Sequence, residues 1–171
     1  GVGAVGAVGM HVSVQARLEG ARARVTCPAA RNMGGTLFVT ADAYQLYSGE
    51  VGHNESLIAK AVATWGGDTS NVLVATKGGH LRSGDGSWSV DGRPEYLKAA
   101  AEASLKRLGG EAIGLYQFHR PDPEVAYADS VCAIRDLLDA GTIRLAGISN
   151  ANTGQIRLAQ EILGGRLASV Q

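Results

Sequence analysis

This chain offers little for cross-linking, metal binding or membrane insertion. Its two cysteines, Cys27 and Cys132, show no paired or metal-like spacing. Neither a disulfide framework nor a zinc site is indicated, and a reducing, cytoplasmic setting is the simplest reading. Cys132 falls in a helical apolar pattern and reads as a core residue. His11, His53 and His80 lack ligand spacing as well, so no metal is assigned. Acidic and basic side chains balance at 16 each, which leaves no global field to attract nucleic acid or an anionic membrane. Long apolar runs are absent too. The run at residues 1–10 is far short of the about 20 residues that span a bilayer, and no basic residue precedes it as in a secretory signal.

Glycine is plentiful, at 24 of 171 residues. Gly1-Val2-Gly3-Ala4-Val5-Gly6 matches the letters of a dinucleotide fingerprint, but the physics requires a strand before it and a helix after it. Neither is present, so the match is set aside. Arg17, Arg22, Arg24 and Arg31 then face Glu19 alone. Residues 1–35 show no clear period and stay undetermined, with an origin outside the fold as one reading. Residues 36–171 are regular and form the domain.

In that domain apolar runs alternate with helical stripes. Thr36–Val39 reads as a short buried strand. Asn54 is placed to cap a helix with Leu57, Ile58, Ala61, Val62 and Trp65 on one face. Asn71–Ala75 is a second strand, followed by Lys77-Gly78-Gly79, and a long Gly/Ser/Asp loop then runs to Arg93. Pro94 suits the first turn of a helix, where its missing N–H costs nothing, and Gly109 suits its left-handed stop. The unit repeats with strand Ile113–Phe118 and helix Tyr127–Asp139. It repeats again with strand Ile143–Ile148, helix Thr153–Leu163 and strand Leu167–Val170. Such alternation predicts βαβ units and a parallel sheet. An open doubly wound sheet would carry a glycine-rich phosphate loop after its first strand, and none is convincing. In a (β/α)8 barrel, chemistry comes from the ends of many strands, and each strand here does end in polar residues. The barrel is favoured.

Tyr44, Lys77 and His119 follow three successive strands. A tyrosine with a free pKa near 10 is a poor proton donor at neutral pH. A neighbouring ammonium favours the phenolate and eases proton exchange with a carbonyl oxygen, and a histidine beside them can orient that oxygen. Ser149, Asn150 and Gln171, at the next two strand ends, offer hydroxyl and amide groups suited to holding a carboxamide.

Thr-Ala-Asp-Ala-Tyr at 40–44, Asn54-Glu55, Ala-Thr-Lys-Gly-Gly at 75–79, Ser104–Gly109, Leu-Tyr-Gln-Phe-His-Arg-Pro-Asp-Pro at 115–123, Ile143-Arg144, Gly-Ile-Ser-Asn at 147–150 and Ser-Val-Gln at 169–171 together resemble the aldo-keto reductases. The resemblance implies a (β/α)8 barrel that reduces carbonyls with NADPH. It makes Tyr44 the proton donor, Lys77 its partner and His119 the carbonyl-orienting group, with Ser149, Asn150 and Gln171 on the nicotinamide carboxamide. It puts the Ser87-Trp88 region in the substrate loop. The partner expected is a small carbonyl compound, not nucleic acid or membrane.

The chain departs from that pattern at three points. The aspartate that stands five residues before the tyrosine in the resembled family is Val39 here, which leaves Lys77 without its usual carboxylate. Residues upstream of Leu37 match neither a first strand nor a first helix. The sixth strand is the last, so about strands two to six of a barrel are expected, well short of the about 250 residues of a full one. A fragment is therefore expected. A non-catalytic relative that binds cofactor or a protein partner, or an inert fragment, are the alternatives.

Overall fold

The computed structural model describes Val12–Ser13, residues 35–45 and residues 50–171. The Gly1–Gly6 motif, His11, Cys27 and the arginines from Arg17 to Arg31 lie outside the described residues. Eight strands and four helices are described: β1 (Val12–Ser13), β2 (Leu37–Val39), α1 (His53–Thr64), β3 (Leu73–Gly78), β4 (His80–Arg82), β5 (Trp88–Val90), α2 (Pro94–Leu108), β6 (Ile113–Phe118), α3 (Tyr127–Asp139), β7 (Ile143–Ile148), α4 (Thr153–Ile162) and β8 (Leu167–Val170).

Six strands form one parallel sheet in the order β1-β2-β3-β6-β7-β8. The order never reverses. A doubly wound sheet has a switch point where strand order turns back, whereas a closing barrel adds each strand beside the last. The architecture is thus a partial (β/α)8 barrel. It holds one strand more than the sequence suggested, because Val12–Ser13 pairs in register with Phe38 and Val39.

Alternation along the strands separates two faces. Outward-facing Phe38 packs with Ile58 and Ala61 of α1, and Val72 and Val74 pack against them. The main core lies between β6–β7 and helices α2, α3 and α4. It is built from residues such as Leu97, Tyr116, Phe118, Val131, Ile134, Ile143 and Ile148. Burying each aliphatic side chain there contributes about 1.5–3 kcal/mol, which anchors the strands whose ends carry the polar groups. Inward-facing Val39, Ala75 and Leu115 form a smaller cluster with Leu37 and Leu73. Lys77, two residues beyond Ala75, continues that inner face.

Helix ends follow their local chemistry, with one departure. Pro94 opens α2 and Gly109, at φ 76°, closes it. Asn152 and Gln155 exchange side-chain and backbone hydrogen bonds at the start of α4, a reciprocal cap that satisfies two otherwise orphaned donors. At α1 the expected Asn54 cap gives way to Gly52, at φ 78°. A Cβ at Gly52 would overlap the Arg107 side chain, so glycine serves both the turn and that close approach. Asn54 instead lies buried in the first turn, its N–H on the Tyr44 carbonyl. The expected long loop is in fact partly ordered: β4 and β5 pair antiparallel, His80 opposite Val90 and Arg82 opposite Trp88. Cys132 on α3 is half-buried, with a free thiol. Among the described residues no helix is long and apolar enough to cross a membrane.

Candidate active site

The six residues expected at the site, Tyr44, Lys77, His119, Ser149, Asn150 and Gln171, all line one cleft of about 590 Å³ at the carboxyl ends of the strands. Trp88, whose region the resemblance put in the substrate loop, lines it too, together with two residues not expected there, His80 and Arg120. His80 and Trp88 come from the hairpin, and Arg120 follows His119. The signal for His80 was the hairpin itself, hidden because only three residues pair on each side.

Lys77 is the hub of one half. It is 2% exposed, and its ammonium donates to the Thr40 carbonyl at 2.9 Å. The same ammonium lies 5.2 Å from the centroid of the Tyr44 ring. Burial pulls the Lys77 pKa down to about 8, with Asp42 pulling the other way. His119 meets the Tyr44 ring edge-on at 5.8 Å and the His80 ring at 4.8 Å. Burial, then the charges of Lys77, His80 and Arg120, push the His119 pKa down to about 3. The imidazole is therefore neutral at physiological pH. Its Nδ1 is buried without a hydrogen-bond partner in the structure.

Behind this group lies a cluster of buried charge. Glu55 is fully buried; it accepts from Thr76 Oγ1 at 2.5 Å and from Arg107 Nε at 2.6 Å. An ion pair taken out of water needs such added hydrogen bonds to offset desolvation. Asp42 is 2% exposed, and burial first, then Glu55, raises its pKa to about 8.

The other half is neutral. Asn150 takes the left-handed conformation, φ 57°, which asparagine tolerates better than most residues. Its Nδ2 donates to the His119 carbonyl at 2.9 Å and to Ser149 Oγ at 3.1 Å. Its backbone N–H binds the Gln171 carbonyl, and Gln171 N–H binds the Ile148 carbonyl. Ser149 and Asn150 therefore do not cap α4; Asn152 does that. With both amide protons of Asn150 engaged, its Oδ1 remains an acceptor, and the Ser149 hydroxyl keeps a proton to donate. One donor beside one acceptor matches a carboxamide, so these side chains fit the nicotinamide end of a dinucleotide. Beneath them Gln117 Nε2 reaches Ser169 Oγ at 3.0 Å across Gly147, where a Cβ would collide with both side chains.

Val39 is 4% exposed and packs with Ala75 and Leu115. The strand position where a carboxylate was expected is thus part of an apolar contact.

A model of the Aldo/keto reductase family matches residues 6–171, beginning well upstream of Leu37. A probable aldo-keto reductase of Glycine max is 34% identical over 129 residues, which are 75% of this chain and 35% of that protein. An uncharacterized oxidoreductase of Mycobacterium bovis is 36% identical over 142 residues, 83% of this chain and 39% of that one. Among solved structures, a glycerol dehydrogenase from Gluconobacter oxydans superimposes with TM-score 0.74 at 30% identity, over 87% of this chain and 43% of its own. The holo form of an aldo-keto reductase from Bacillus halodurans gives TM-score 0.72 at 28% identity, over 89% and 48%. The chain therefore spans less than half the length of these relatives.

Proposed function

The chain belongs to the aldo/keto reductase family, and on that premise we propose that its cleft reduces an aldehyde or ketone to an alcohol with NADPH. The observation that carries this reading is the convergence of Tyr44, Lys77 and His119 with Ser149, Asn150 and Gln171 on one cleft. NADPH, when bound, supplies hydride to the carbonyl carbon. The protein's part is to hold the carboxamide and to protonate the oxygen. Tyr44 gives its hydroxyl proton to the carbonyl oxygen as negative charge develops there. The Lys77 ammonium, over the Tyr44 ring, stabilises the phenolate left behind. Neutral His119 adds no competing positive charge and can donate a hydrogen bond that orients the carbonyl. Ser149 donates to the carboxamide oxygen, while Asn150 and Gln171 accept from its amide. The substrate is a small carbonyl compound, bounded on one side by Trp88, and the cytoplasm is the setting.

A second reading, a cofactor-binding protein without turnover, is favoured by Val39 packed among Ala75 and Leu115. One assay separates the two. The 171-residue protein is titrated with NADPH by nicotinamide fluorescence and then supplied with a panel of small aldehydes. Oxidation of NADPH coupled to alcohol formation is expected. Binding without oxidation on the whole panel selects the second reading, and absence of binding overturns both.

A further inference from the structure

Among the described residues no hydrogen bond holds the His119 ring, and its Nδ1 is buried without a partner. Two other rings touch it instead. Tyr44 meets it at 5.8 Å with the planes at 79°, and His80 at 4.8 Å with the planes at 83°. Edge-to-face pairs at such separations are favourable and directional, so packing decides which way the imidazole points. His80 is the closer of the two.

The hairpin that carries His80 is itself held. Alternation along β4 puts His80 and Arg82 on one face, and Trp88 of β5 pairs opposite Arg82. The Trp88 ring lies 4.7 Å from the His80 ring, and the Arg82 guanidinium lies 5.1 Å from the centroid of Trp88. A guanidinium over an indole is among the stronger cation–aromatic contacts. Gln45 Nε2 donates to the Arg82 carbonyl at 3.1 Å, which ties the hairpin to the residue after Tyr44. At its base, the Gly78 carbonyl accepts the His119 N–H at 2.9 Å, so β4 starts beside the residue whose ring it meets.

We propose that His80 is the positioning residue for His119: it fixes the imidazole by ring packing, as the inner member of a His119–His80–Trp88–Arg82 stack, where a hydrogen bond to Nδ1 is missing. In that orientation the ring proton belongs on Nε2, where water or a carbonyl oxygen in the cleft can accept it. On Nδ1 it would be buried with no acceptor, at the cost of an unsatisfied donor. The charged and titratable groups around the two histidines are Tyr44, Lys77 and Arg120, with Arg82 behind Trp88. The effect on turnover rests on the carbonyl-reducing reading; the ring packing does not.

The test is nitrogen NMR of the 171-residue protein labelled at histidine, with the His119 signals identified by their loss in His119→Gln. The two ring nitrogens report the tautomer, and their change with pH gives the protonation midpoint. The parent is expected to hold one tautomer, with the proton on Nε2. In His80→Ala the tautomers should mix and the midpoint should rise by at least about one pH unit, because uncovering a buried histidine relieves its desolvation. His80→Phe keeps a ring and removes the titrating group, and should stay close to the parent in both readouts. The maximal rate of NADPH oxidation should fall about ten-fold in His80→Ala, short of the about 10²-fold that a misplacement of about 1 Å can cost, and His80→Phe should recover most of it. Unmoved His119 signals in folded His80→Ala overturn the proposal, and so does His80→Phe behaving like His80→Ala. Should His80→Ala not fold, Trp88→Ala is read in its place: removing the ring behind His80 should move the His119 signals the same way, and unmoved signals overturn the proposal equally. Moved signals with no turnover in the parent keep the stack and reject the reductase reading, and turnover with unmoved signals does the reverse.

Discussion

The two halves of the cleft are built on opposite principles. On the β2–β3–β6 side, Lys77 and His119 are buried and their pKa values lie well below the usual ones. On the β7–β8 side, Asn150 and Gln171 are exposed and Ser149 is buried, and all three are neutral groups joined by a chain of hydrogen bonds. Desolvation strengthens the interactions between charges, so the first half suits proton delivery. Directed donors and acceptors work in contact with water, so the second suits recognition of a carboxamide. Chemistry and binding should therefore fail separately.

Tyr44→Phe should produce the largest effect. It removes the proton while keeping the ring against Lys77 and His119, and turnover should fall about 10²–10⁴-fold, the usual range for a general acid. NADPH affinity should stay within about two-fold of the parent, on the same argument that binding lies in the other half. Asn150→Ala should come next. It deletes the hydrogen bonds to His119 and Ser149, each with a net contribution of about 0.5–1.5 kcal/mol. NADPH affinity should weaken about ten-fold, with a smaller change in maximal turnover. Equilibrium titration and steady-state kinetics on both variants would break the comparison if each lost binding and turnover together.

Stability against pH sharpens it further. His119 has a folded pKa of about 3 against an ordinary 6.5, so its contribution is complete above 6.5 and is lost as pH falls towards 3. Below 6.5 the unfolded chain takes up a proton that the folded one refuses. His119→Gln should flatten that slope, retaining about 1–3 kcal/mol relative to the parent near the acid end in urea unfolding. Asp42 runs the other way. Its folded pKa of about 8 stands above the ordinary 3.8, so its contribution is complete below 3.8 and is lost as pH rises to 8. Asp42→Asn should therefore gain stability over the parent at pH 8 compared with pH 4, by about 1 kcal/mol or more. Comparable pH dependence in a variant of the exposed half, such as Gln171→Ala, would remove the distinction.

Much of this was legible in the sequence, for reasons that differ by element. Parallel strands announce themselves as apolar runs, and Ile113–Phe118 and Ile143–Ile148 appear with the bounds expected. The helix opened by Pro94 and closed by Gly109 was equally plain, because both residues act locally. The cleft residues could be found because each lies at or within a few residues of the carboxyl end of its strand. What stayed hidden depended on contacts distant in sequence. Gly52 replaces Asn54 as cap because Arg107, from another helix, occupies the space beside it. The β4–β5 hairpin carries its signal in only a few paired residues among Gly, Ser and Asp. Val12–Ser13 is a strand through pairing with Phe38 and Val39, and its surroundings have no period of their own. The burial of Asp42 beside Glu55 follows from packing α1 and α2 behind the turn, which no local pattern encodes.

The division of labour in the cleft is tested most directly by measuring NADPH affinity and single-turnover hydride transfer on Tyr44→Phe and Asn150→Ala in parallel. The account predicts that Tyr44→Phe binds NADPH like the parent and transfers hydride at least about 100-fold more slowly, and that Asn150→Ala shows the converse. Equal loss of affinity and of transfer in Tyr44→Phe would contradict it.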